Sequence, residues 1–436
     1  MFEIIIVAAI SLFALTAKTK NTLVLMFLLL PLHGFIKSFI FGDGGNIFAA
    51  WKEICILILF AKTYNNKVLS LQYINSSYLL FLFYILIFFF IGYEKGYSVV
   101  SDIRQFVFPS ILMITIAKMS FSNSDIKQIF NAILLGTIIV NISGVIDFLS
   151  PELRLIMRTM MHADFTIGDD GTVYYENSSM KIMGIDRVAG LSSGGPNMMG
   201  VFNSIILIFA AIAKKMNIYM SKVEKFMFCS ICLLSIFCLL LSFSRAGWAI
   251  LFITFVLFGY RDKYNRKYII GIILSSFMLV VISYCFIDQV KLVIDGTFSG
   301  NEASSAARAS MTQDSFSLLL ENPFGQGMGA TSLTSKIHWN FAESSLINLG
   351  FCCGLIGILL YLSHIYKIFK ANHLQYNIIS YYASSFIIAY VITTVVSVNV
   401  VQNPFVYYAW FLMGLGLSNN AIYISNWKSS NIKYYD

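Results

Sequence analysis

The sequence predicts an all-α polytopic membrane protein with about 12–13 transmembrane helices and two long loops on the outer side of the membrane. Composition is the first ground. The 436 residues are 58% hydrophobic and only 12% charged, whereas a soluble domain carries roughly 25% charge. Apolar runs of membrane-crossing length are the second ground. The third is the concentration of lysine and arginine in short connections between runs. The net charge of +8 is therefore ascribed to cytoplasmic connections and not to nucleic-acid binding.

The runs fall at roughly 2–17, 21–40, 48–62, 77–93, 104–119, 127–149, 197–213, 224–243, 246–260, 268–287, 343–369, 376–398 and 404–422. The run at 48–62 is short enough to be re-entrant or interfacial, so the count is twelve or thirteen. Met1-Phe2-Glu3 offers no basic n-region, and the first run is expected to remain as a span. The connections Lys214–Lys225 and Arg261–Lys267 are basic and are assigned to the cytoplasm. Alternation then puts the Ser244–Gly247 turn outside, together with 150–196 and 288–342, and the tail bearing Lys428 and Lys433 inside.

The chain divides accordingly. N-terminal spans occupy 1–150, a first outer loop 151–196, and central spans 197–287. A larger outer loop follows over 288–342, then C-terminal spans and the tail over 343–436. All seven cysteines lie in or beside apolar runs, which points to packing and not to a disulfide framework. No His, Cys and Asp spacing resembles a metal site, and no cofactor motif is present.

Arg245 interrupts otherwise apolar sequence, in Phe243-Ser244-Arg245-Ala246-Gly247-Trp248. A cation within a bilayer costs about 2.5–3.5 kcal/mol unless it reaches the surface, a wet cavity or an anion. Its own turn supplies no carboxylate. Arg187, ahead of the run near Asn197, and Arg104, after Asp102, are expected at the same outer face. Guanidinium forks hold phosphate bidentately, so such a cluster suits a diphosphate at the lipid–water boundary. Snorkelling, or ion pairs with Asp102, Asp186 or Asp288, is the structural alternative.

Two further stretches carry possible chemistry. Asn322-Pro323-Phe324-Gly325-Gln326-Gly327-Met328-Gly329 follows a helical pattern, and its glycines would let backbone amides approach an anion or would simply form a turn. Ala303–Leu320, just before it, is expected as an amphipathic helix on the outer surface. Glu343 stands where an apolar helix begins, with His338 upstream. A partly desolvated carboxylate there suits proton transfer, although a helix-start carboxylate is also favoured by the macrodipole alone. His338 reads equally as a surface histidine.

Taken in order, these residues resemble the O-antigen polymerase/ligase superfamily. Ser244-Arg245-Ala246-Gly247 is similar to that family's Ser-Arg-Gly turn, and Arg187-Val188-Ala189-Gly190 followed by Pro196-Asn197 to its Arg-x-x-Gly and Pro-Asn elements. Arg308, Asn322-Pro323 and the glycines resemble the long outer loop, and Glu343–Gly350 with Gly354 and Gly357 the span after it. The resemblance covers roughly 185–360. Family ligases carry a His-Asn pair where this chain has Glu343-Ser344, which tilts the reading toward polymerase.

The resemblance implies a glycosyltransferase of the bacterial inner membrane with two periplasmic loops. It would polymerise undecaprenyl-diphosphate-linked oligosaccharide units for lipopolysaccharide, without metal or cofactor. A flippase and a chain-length regulator would be its partners. Arg187, Arg245, Arg104, Arg308, Gly327 and Gly329 would hold the diphosphate, and Glu343, His338 and Arg245 would be catalytic. O-antigen ligase is the near alternative. A lipid-linked oligosaccharide flippase or a membrane scaffold would be of another class, and each accounts less well for charge clustered at one face.

Overall fold

The structure, a computed structural model, describes residues 2–41, 47–65, 72–160, 165–167, 173–175, 181–182, 185–191, 195–219, 221–261, 271, 278, 284–285, 291, 295, 313–331, 344–375 and 377–418. Helices α1 (Phe2–Thr16), α2 (Thr19–Leu29), α3 (His33–Phe41), α4 (Trp51–Thr63) and α5 (Gln72–Glu94) open the bundle. Then come α6 (Val99–Phe106), α7 (Phe108–Ala117), α8 (Asn123–Leu149), α9 (Pro151–Met160), α10 (Gly195–Lys215), α11 (Lys222–Leu241) and α12 (Arg245–Arg261). After them, α13 (Ser345–His373), α14 (Ile378–Val396) and α15 (Phe405–Leu417) complete the set. The first long loop adds two short antiparallel hairpins, Phe165–Ile167 with Val173–Tyr175 and Lys181–Ile182 with Ile185–Asp186.

Among the described residues, eight helices are long and apolar enough to cross a membrane, and Phe2–Thr16 and Phe405–Leu417 are shorter apolar helices. This is an all-α polytopic membrane protein. Within the run at 48–62, α4 packs against α1, α2 and α7, with Trp51, Cys55, Ile56 and Leu59 buried. Pro31 sits in a 3-10 turn, Leu30–Leu32, and divides the run at 21–40 into α2 and α3. The expected span at 268–287 lies almost wholly outside the described residues.

Capping and charge sort the helix ends. Ser122 with Asp125 and Ser221 with Glu224 form capping boxes that start α8 and α11. The same two acids pair with Lys20 and Lys127. Arg261, at the foot of α12, donates to Ser384 and to the His373 carbonyl. With Lys214, Lys215, Lys222 and Lys225 these groups make one end lysine-rich. The opposite end carries Glu53, Asp102, Arg104, Asp147, Arg187 and Arg245.

Both long loops send backbone into this second end. Arg187–Leu191 lies against α8 and the close of α11. A helix over 313–321 sets Leu319 against Phe351, Ile347 and Ile358, and the glycine-rich stretch then runs inward. The amides of Gln326 and Gly327 donate to the Phe351 and Cys352 carbonyls at 2.7 and 2.9 Å, and that of Met328 to the Phe88 carbonyl at 2.9 Å. α13 kinks here at Gly354, with φ 69°, and Leu355 donates to Pro323 across 2.9 Å. Roughly nine residues, or about 14 Å, separate the start of α13 from the kink. Irregular backbone at that depth survives because protein satisfies its polar groups.

Candidate functional site: the arginine turn

The turn that presents Arg245 is built by close packing and a cap. α11 stops at Leu241, Phe243 takes a left-handed φ of 47°, and α12 begins at Arg245. Ser244 accepts from the Gly247 amide at 3.3 Å and donates to the Asn197 carbonyl at 3.2 Å, tying the turn to the start of α10. Gly200 and Gly247 let α10 and α12 touch backbone to backbone; a Cβ on Gly247 would lie 2.6 Å from the Gly200 carbonyl carbon. Arg245 is exposed at the first position of α12, whose first turn has no acid. The helix N-terminus thus adds its positive dipole end to the guanidinium.

Arg187 is placed differently. It is only 5% exposed, and its Nε donates to the Ser242 carbonyl at 2.8 Å while Nη2 donates to Asn197 Oδ1 at 2.6 Å. A longer contact of 3.5 Å reaches the Phe243 carbonyl. The fork therefore joins the end of α11 to the start of α10, beneath the turn it was expected to flank. Asp147, buried in α8, holds the segment that follows Arg187: its Oδ2 accepts the amides of Ala189 and Gly190 at 2.8 and 3.0 Å. Ser143 accepts the Leu191 amide at 2.8 Å, and Arg154 bridges Asp147 at 3.2 Å and Asp186 at 2.6 Å. Asp147 and Ser143 were not among the sequence candidates.

Arg104 belongs to a separate contact network. Its Nε approaches Glu53 Oε1 at 3.6 Å, and the same oxygen meets Lys52 at 3.2 Å and the Tyr407 hydroxyl, which donates at 3.0 Å. Lys52 also donates to the Ala49 carbonyl at 2.7 Å, and Trp51 Nε1 donates to His33 Nδ1 at 3.1 Å. The adjacent opposite charges opening the 48–62 run were the available signal for this cluster.

The glycine loop does not offer Gly327 and Gly329 as an open anion cradle. Gly327 gives its amide to Cys352, and Gly329 gives its amide to Asp102 Oδ2 at 2.6 Å. Positive φ values at Gly325, Gly327 and Gly329 serve this docking, in which the loop backbone touches α5, α13 and the segment around Ser98. Arg308, His338 and Glu343 lie outside the described residues. The next residue, Ser344, is 2% exposed and caps α13 by accepting the Ile347 amide at 3.3 Å. Ser345 donates to the Ser397 carbonyl at 2.7 Å. Among the described residues no three His, Cys, Asp or Glu side chains group as metal ligands.

Fold and turn together define a multi-pass helical membrane protein that displays a capped arginine at one end. Residues 230–362, from within α11 to within α13, match a protein family described as O-antigen ligase. The match spans 133 of the 436 residues and takes in both the Arg245 turn and the glycine-rich loop. No curated protein matches the chain.

Proposed function

We propose that this protein is an O-antigen or related surface-polysaccharide polymerase of the bacterial inner membrane. The observation that carries the proposal is Arg245, exposed on a capped, glycine-packed turn inside the family match and at the end opposite the lysine-rich one. Under the positive-inside rule the lysine-rich end is cytoplasmic, and Arg245 then faces the periplasm.

In the proposed reaction a hydroxyl on the non-reducing sugar of the incoming unit attacks the anomeric carbon of the growing glycan. The new glycosidic bond forms as the bond to undecaprenyl diphosphate breaks. The diphosphate leaves with the electron pair, and the hydroxyl proton passes to a base. Arg245 and the α12 N-terminus would stabilise the charge growing on the diphosphate. Arg187, already engaged with main-chain carbonyls, would position the turn. Glu343 is the preferred base, with His338 second.

The family description favours a second reading, in which lipid A–core is the acceptor and the protein is a ligase. Deletion of the protein followed by a lipopolysaccharide gel separates the two. Loss of the ladder with single units still attached to core supports polymerase. Loss of all attached units, with polymer left on the lipid carrier, means ligase.

A further inference from the structure

Among the described residues, the Arg104 cluster joins two cations, Lys52 and Arg104, to the carboxylate of Glu53. Lys52 and Arg104 share a single oxygen of Glu53. The other, Oε2, is buried and makes no hydrogen bond. Lys52 and Glu53 keep 4% and 6% of their side chains exposed, whereas Arg104 keeps 28%. Of these three side chains, Arg104 is the one that reaches the surface. A buried, unbalanced cation is costly, and an anion at its open edge relieves that cost.

Its place relative to the arginine turn matters as much as its charge. Tyr407 of α15 donates to Glu53, and the next residue, Tyr408, packs its ring 5.7 Å from that of Phe202 in α10. Phe202 is two positions beyond Gly200, against which Ser244 rests. The α10–α15 pair therefore stands between two cationic positions at one end of the bundle.

We infer that Lys52, Glu53 and Arg104 form a second diphosphate site, which holds the acceptor lipid while Arg245 faces the diphosphate that leaves. This rests on the polymerase reading, in which both reactants are polyprenyl-diphosphate-linked. The two diphosphates cannot share one position. The attacking hydroxyl is at the far end of the acceptor's oligosaccharide, so the acceptor's diphosphate lies one repeat unit away from the reacting carbon. The two charges also have different histories. The leaving diphosphate gains charge as its bond breaks, which suits the dipole-backed Arg245. The acceptor's diphosphate keeps its charge throughout and needs only a cationic holding site.

The test uses the full-length protein in lipid nanodiscs, with undecaprenyl diphosphate counted per chain by native mass spectrometry. Wild type should bind two, and Arg104→Ala and Arg245→Ala one each. In turnover, Arg104→Ala should raise the KM for acceptor about tenfold with kcat nearly kept, while Arg245→Ala should lower kcat. Arg104→Lys keeps the charge and should still bind two, which separates loss of the site from loss of the fold. One lipid on both wild type and Arg104→Ala, or two on Arg104→Ala, overturns the second site. A full-length ladder from Arg245→Ala overturns the polymerase mechanism itself, whatever the lipid count.

Discussion

Arg187 and Ser242 are joined through the backbone: the guanidinium Nε lies 2.8 Å from the Ser242 carbonyl oxygen, at the C-cap of α11. A charged donor here satisfies a carbonyl that the helix cannot, and it fixes where the next residues turn.

Arg187→Ala should lower stability by about 1.5–3 kcal/mol through lost charge-assisted hydrogen bonds. It should shorten or abolish the polymer ladder as well. Arg187→Lys should not restore the ladder, because an ammonium cannot reproduce the fork between Ser242 and Asn197. Thermal unfolding in detergent, set beside the gel, checks both statements.

Arg245→Ala should behave oppositely. The side chain is exposed, so the melting temperature should hold while the rate falls about 100- to 1,000-fold. A fall in melting temperature matching that of Arg187→Ala would assign Arg245 a structural role.

Asp147 and Arg154 should prove coupled. A double-mutant cycle with Asp147→Asn and Arg154→Gln should give an interaction of about 0.5–3 kcal/mol, since one carboxylate serves Arg154 and the Ala189 and Gly190 amides together. Additive stability losses would show that the segment after Arg187 holds without that hub.

Gly200→Ala should destabilise by about 1–3 kcal/mol, because the new methyl group would run into the Ser244 side chain and meet the Ser242 hydroxyl oxygen at 2.7 Å. Ser244→Gly clears the nearest contact but removes the hydroxyl that caps α12, so the double variant should recover little. Unfolding midpoints of the single and double variants measure this.

Glu343→Gln should remove long polymer at unchanged protein level if the carboxylate takes the acceptor proton. Full chain length in that variant returns the role of base to His338 or to a group not yet named.

Hydropathy made most of the bundle legible, because a bilayer demands long apolar helices and little else imitates them. The turn at Arg245 was legible for the same reason: a lone cation in apolar sequence stands out. Arg187 and Asn197 both stood out in the sequence, but two of the groups that Arg187 meets are the carbonyl oxygens of Ser242 and Phe243, which have no side-chain signature. The role of Gly327 and Gly329 was hidden because glycine permits both an anion cradle and a tight backbone dock; contacts to Gly92 and Ser98, distant in sequence, decided between them. Lys52 and Glu53 were not singled out in the sequence, where the run at 48–62 was marked only by its shortness; their partners Arg104 and Tyr407 lie far along the chain.

The docking of the glycine loop also says what can be cut from this chain. The stretch with the family match, 230–362, contains the turn and the loop, yet both lean on residues outside it. Arg187 and Asn197 hold the turn, and Phe88, Gly92 and Asp102 receive the loop. Expressed alone, that stretch would carry the recognisable residues with their supports missing. The smallest portable unit reaches back at least to α5, and a graft between relatives should move α5 through α13 together.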